Sequence, residues 1–196
     1  IYKWPEITLK QKQDFKKVNL HFKNNLIQTT IPVPFLEKYN RTYPTLPVRL
    51  NKDFWKRVDN IFRYSNNKNL IQKNIVFKNI KKINLILQRL PLTILIEKVH
   101  KNNFIINSKK NIYLINWEGW SIEPIGANFN EQEIKNKKLL QYTIEIFNKK
   151  RNPHKLNISH MKMSSLLYYF EKSVNQNKFN EIDKLIHEIA KIIKYL

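Results

Sequence analysis

Apolar residues recur at three- and four-residue spacing in several separate stretches of the chain. Phe54, Val58, Ile61 and Phe62 predict a helix over about Lys52 to Tyr64 with those side chains on its inner face. Ile182, Ile186, Ile189 and Ile193 predict an amphipathic C-terminal helix from about Phe179 to Leu196, preceded by another from about Ser159 to Lys172. Near the start, Pro5 and the pair Thr8 and Gln11 resemble a capping box, opening a helix to about Asn24 that turns Phe15, Val18 and Phe22 inward. Asn130 and Glu133 have the same box spacing and head a long helix to about Lys149, with Ile134, Leu139, Tyr142 and Phe147 on one side. A shorter helix, around Lys81 to Leu90, is stopped by Pro91, which cannot donate to the helical ladder.

Short apolar runs interrupt this helical pattern in the middle of the chain. Leu92 to Ile96 reads as a strand, and Phe104 to Ile106 with Ile112 to Ile115 reads as a β-hairpin joined by the polar segment Asn107 to Asn111. Pro32, Pro34, Pro44 and Pro47 make residues 29–50 an extended, looping connection. Asn66 to Asn69 and Arg151 to Leu156 are further breaks. The expected fold is therefore α+β and mainly α, a single domain over residues 1–196 with a small central β-hairpin. Residues 1–90 form a helical part, 91–128 a loop and hairpin region, and 129–196 a set of C-terminal helices.

Composition narrows the function classes. Without cysteine there is no disulfide, thiolate metal site or cysteine nucleophile, which fits an intracellular, cytoplasmic protein. The most apolar run, Ile83 to Ile96, is broken by Asn84, Gln88, Arg89 and Pro91, so it reads as buried core rather than a membrane span. The net charge of +21 invites a nucleic-acid or other polyanion partner. Against that, lysine far outnumbers arginine, and the basic pairs are scattered along the chain. The histidines show no metal-ligand spacing.

Both of the chain's glycines, Gly119 and Gly126, fall in the stretch from His100 to Asn128. Their persistence in a Lys-, Asn- and Ile-rich chain predicts a backbone there that needs positive φ or a close neighbour. The same stretch carries a likeness to a known family. Ile96-Glu97-Lys98-Val99-His100-Lys101-Asn102-Asn103 is followed by Leu114-Ile115-Asn116-Trp117-Glu118-Gly119-Trp120 and then Ser121-Ile122-Glu123-Pro124-Ile125-Gly126-Ala127-Asn128. This order resembles the aminoglycoside phosphotransferase and choline kinase-like family, whose members carry a catalytic loop, a hairpin and a metal-binding turn in that succession. Trp4-Pro5-Glu6-Ile7 and Leu20-His21 extend the likeness over nearly the whole chain, as a kinase-like C-terminal lobe with no N-terminal lobe visible.

The resemblance implies a role for individual residues. Lys98 stands at the catalytic aspartate position, with His100 two residues on. Asn103, Asn116 and Glu118 match the positions that hold magnesium and nucleotide, Asn103 and Asn116 being the metal ligands if magnesium-nucleotide binds at all. Glu118 is retained, but Lys98, Asn116 and Asn128 stand where the family has aspartate. A lysine ammonium cannot accept a proton at ordinary pH, and a neutral amide is a poorer magnesium ligand than a carboxylate. Glu97, beside the lost aspartate, is a candidate displaced base. The expectation is a degenerate, inactive phosphotransferase homologue, a pseudokinase that binds a protein partner and needs no cofactor. Two alternatives stand beside it. One is an active small-molecule or peptide kinase with relocated groups, using magnesium-ATP; the other is a basic nucleic-acid or ribonucleoprotein component.

Overall fold

The computed structural model describes residues 43–64, 70–96, 104–106, 112–114, 120–127, 129–138, 140–141, 143–145 and 156–196. The helix expected over 8–24 lies outside them, as does most of the proline-rich connection. A single helical turn, α1 (Leu46–Arg49), follows the extended Pro44 and Thr45, with Pro47 in its first turn, where proline costs no hydrogen bond. Next come α2 (Lys52–Tyr64), α3 (Leu70–Lys78) and α4 (Ile80–Arg89). Two pairs of strands follow: β1 (Leu92–Ile96), β2 (Phe104–Ile106), β3 (Ile112–Leu114) and β4 (Trp120–Pro124). The chain then enters α5 (Glu131–Lys135), α6 (Ile158–Asn175) and α7 (Phe179–Ile193).

The helices arise where periodicity and end signals agree. In α2 the Asn51 side chain accepts from the Phe54 amide, and Phe54, Val58 and Phe62 are buried, with Ile61 half-buried. Leu90 stays outside α4, its amide bonding back to Ile86, just before Pro91. Asn157 caps α6 by accepting from the His160 amide at 2.8 Å. The α6–α7 corner is a Schellman turn: Asn177 takes φ +54°, and Lys178 and Asn177 donate to Ser173 and Val174. Ile182, Ile186, Ile189 and Ile193 all face inward from α7. The core joins α2, α3, α6 and α7, where Trp55 stacks on Phe170 at 6.2 Å and meets Phe77 edge-on at 5.7 Å. Among the described residues no helix is long and apolar enough to cross a membrane.

Two expectations need correction, and one helix was not foreseen. The segment after the hairpin is not simply a loop, because Trp120–Pro124 is a strand. It pairs antiparallel with β1, in the register Leu92↔Pro124 through Ile96↔Trp120. Among the described residues the β-structure is thus two antiparallel pairs rather than one hairpin. The helix headed by Asn130 does not run unbroken: α5 ends at Lys135, Asn136 is non-helical with its amide on Glu133, and residues 137–138, 140–141 and 143–145 are helical again. Asparagine is a weak helix former, which suits it to that break. The box itself forms as expected, Glu133 donating its amide to Asn130 Oδ1 at 3.0 Å while Asn130 donates to Glu133 Oε2 at 2.9 Å. Leu139, Tyr142 and Phe147 lie outside the described residues. Finally, α3 carries no periodicity strong enough to have announced it; it buries Val76 and the stem of Lys73.

Candidate functional site

The two strand pairs are nested. β1 and β4 form the outer pair, and β2 and β3 pair inside them in sequence, with Phe104↔Leu114, Ile105↔Tyr113 and Ile106↔Ile112. Two chain segments connect outer to inner pair, residues 97–103 and 115–119. They leave from Ile96 and Trp120, which are Cα partners, and arrive at Phe104 and Leu114, which are partners too. Antiparallel partners stand about 4.5–5.5 Å apart, so both connections start and finish as neighbours. Lys98, His100 and Asn103 belong to the first connection and Asn116 and Glu118 to the second. These five residues, together with Glu97, Trp117, Gly119 and Asn128, lie outside the described residues.

Directly opposed residues of an antiparallel pair share a face. Thr93, Leu95, Ser121 and Glu123 therefore point one way, and Ile94, Trp120 and Ile122 the other. The first face is unusually polar for its depth. Glu123 is 1% exposed and Thr93 1%, and neither the Thr93 nor the Ser121 hydroxyl has a hydrogen-bond partner among the described residues.

Glu123 is held by two groups. Its Oε2 accepts from the Leu46 amide at 2.8 Å and its Oε1 from Arg49 Nη1 at 2.8 Å. The same guanidinium donates to the Pro44 carbonyl at 2.7 Å and reaches Glu171 at 3.3 Å. Asn175 donates to Glu171 and accepts from Arg57, extending the chain of contacts from α2 to the end of α6. Two carboxylates thus share one guanidinium. Burial alone would lower the Arg49 pKa, yet both carboxylates outweigh it and hold the charge firmly. Burial pushes the Glu123 carboxyl above its ordinary range, because Arg49, divided between two partners, does not offset the lost water. This cluster fastens the end of β4 to α1 and, through Arg49, to α6.

Beyond Glu123 the chain turns through Ile125 to Ala127. Gly126 has φ +101°, and an added Cβ would overlap the Met161 carbonyl oxygen and sit 2.8 Å from Met161 Cα. Both reasons expected for a retained glycine apply here, while Gly119 lies outside the described residues. Ser164 and Ser165, buried in α6, complete the fastening by donating to the carbonyls of Pro124 (3.3 Å) and Phe129 (2.8 Å). Pro124 and Gly126 are thus framework against α6.

Arg49, Glu123 and Glu171 were not among the sequence candidates. One local signal existed for Glu123, an acid flanked by Ile122, Pro124 and Ile125 in an acid-poor chain. Its partner lies 74 residues away and carried none. Among the described residues no cluster of three His, Asp or Glu side chains could hold a metal ion. Compared with models of known protein families, with curated proteins and with solved structures, the chain matches none.

Proposed function

We propose that this chain is a degenerate phosphotransferase-type lobe, kinase-like in its C-terminal architecture, that serves as a binding or scaffolding subunit for a protein partner. The observation that supports it best is the nested strand pairing. That pairing starts and ends the segments 97–103 and 115–119 side by side, as a lobe presenting a catalytic loop beside a metal-binding turn requires. Within those segments the chemistry has been replaced: Lys98 and Asn116 stand where carboxylates would orient the acceptor and hold magnesium. A fastened framework (Glu123, Pro124, Gly126) without those carboxylates suits binding rather than turnover.

The purified protein incubated with ATP, magnesium and candidate hydroxyl acceptors tests this directly, and no turnover is expected. Robust phosphoryl transfer that disappears in Asn103→Ala would overturn the proposal. A second arm uses the double variant Lys98→Asp with Asn116→Asp, whose magnesium-ATP affinity should rise by calorimetry while turnover stays absent. The first change exchanges a cation for a carboxylate in segment 97–103, and the second would add a charged oxygen ligand in segment 115–119. Unchanged affinity would mean that these positions are not the lost carboxylates.

A further inference from the structure

The exposed face of α4 carries cations and no acid. No Asp or Glu occurs between Asp59 and Glu97. Several cations on other elements have counter-charges. Asp59 takes Arg63 and Lys73, Glu181 takes Lys178, Glu188 takes Lys191, and Arg49 has its two glutamates. Lys78, Lys81, Lys82 and Arg89 are exposed and make no ion pair or side-chain hydrogen bond among the described residues.

At the centre of these cations is an apolar residue. Leu85 is 45% exposed, although Ile83 and Leu87 beside it in sequence are fully buried. On a helix surface the neighbours of position 85 are 81, 82, 88 and 89, here Lys81, Lys82, Gln88 and Arg89. A lone exposed leucine is ordinary on any surface. A leucine ringed by three unpaired cations and an amide has instead the layout of a small interface, an apolar centre within a polar rim.

We infer that this face of α4 docks an acidic protein segment that carries an apolar side chain flanked by Asp or Glu. The apolar group covers Leu85, and the carboxylates meet Lys81, Lys82 and Arg89. Complementarity of both kinds selects this occupant. A nucleic-acid backbone would answer the charge but has nothing to cover Leu85, and a lipid surface takes up a whole apolar helix face, which in α4 is turned into the core at Ile83 and Leu87. The inference deepens the scaffolding reading, since it names the surface and the partner's chemistry. It is tested without nucleotide, so a protein found to turn over ATP would sink that reading and leave this face's binding untouched.

The probes are a short fluorescent peptide of alternating Glu and Leu turns, the same peptide with serine for leucine, a single-stranded RNA of equal charge, and phosphatidylserine vesicles. Anisotropy is read at about 0.15 M salt, where weak long-range attraction is screened. The leucine peptide should bind, and should lose about tenfold or more in Leu85→Ser and in Lys81→Glu with Lys82→Glu. It should be unaffected by Lys52→Glu with Lys56→Glu on the exposed face of α2. The serine peptide should bind about tenfold more weakly. All the substituted side chains are exposed, and circular dichroism confirms that each variant keeps its fold. Absence of binding by the leucine peptide would overturn the inference. So would equal binding of the two peptides, equal damage from the α2 pair, or tighter binding of RNA or vesicles through Lys81 and Lys82.

Discussion

Replacing Gly126 with alanine probes the junction between β4 and α6 at its least forgiving point. Two costs add. At φ +101° an L-residue is strained, which costs about 1–3 kcal/mol. The new methyl also overlaps the Met161 carbonyl oxygen and lies 2.8 Å from Met161 Cα. Those are backbone atoms of a helix whose buried face carries Leu167, Phe170 and Val174, so they cannot swing aside as a side-chain tip would. Overpacking of that kind costs about 1–3 kcal/mol more. The expected loss is therefore about 2–6 kcal/mol, a large share of the 5–15 typical of a whole domain. In urea, with a slope of about 2 kcal/mol/M, the midpoint should fall by roughly 1–3 M. Gly126→Asn separates the two causes, because asparagine tolerates positive φ better but keeps the Cβ. If overlap dominates, asparagine should be nearly as damaging as alanine. An alanine variant within about 1 kcal/mol of the parent would refute the reasoning, since neither cost would then be real.

Arg49→Met leaves Glu123 buried without its cation and should cost about 3–5 kcal/mol by urea denaturation, part of it recovered by adding Glu123→Gln. The raised Glu123 pKa has a pH consequence. Just above the ordinary carboxylate value of 4.5 the folded chain keeps a proton that the unfolded chain has released, so this group's contribution to stability falls as pH rises. The same unfolding series on Glu123→Gln should lack that component; an identical pH slope in both proteins would show that the carboxyl titrates normally. Asn130→Ala removes one half of the box at the head of α5 and should cost about 1 kcal/mol, measured the same way. Asp59, held below its ordinary range by its hydrogen bond to Lys73, contributes stability that is lost as pH falls through its lowered pKa. Asp59→Asn should remove that acid-side loss from the pH–stability curve.

Local rules made much of this protein legible in its sequence. The span of α2, the stop before Pro91, β1, the β2–β3 pairing and the four inward isoleucines of α7 follow from spacings of two or three to four residues. A capping box is complete within four residues, and a glycine's need for positive φ belongs to one residue, so Asn130, Glu133 and Gly126 were readable too. The residues proposed for chemistry, Lys98, His100, Asn103, Asn116 and Glu118, came from a resemblance rather than from periodicity. Tertiary structure alone decided the rest. Nothing between Leu92 and Pro124 encodes their pairing across the whole hairpin, and five residues ending in proline are too short a run to distinguish strand from loop. Trp55, expected on no face, is buried because Phe77 and Phe170 converge on it from two other helices. Glu123 is buried for the same kind of reason. A carboxylate enters a core only where a partner is delivered to it, and Arg49 and the Leu46 amide arrive from more than seventy positions away through the folding of α1 against β4.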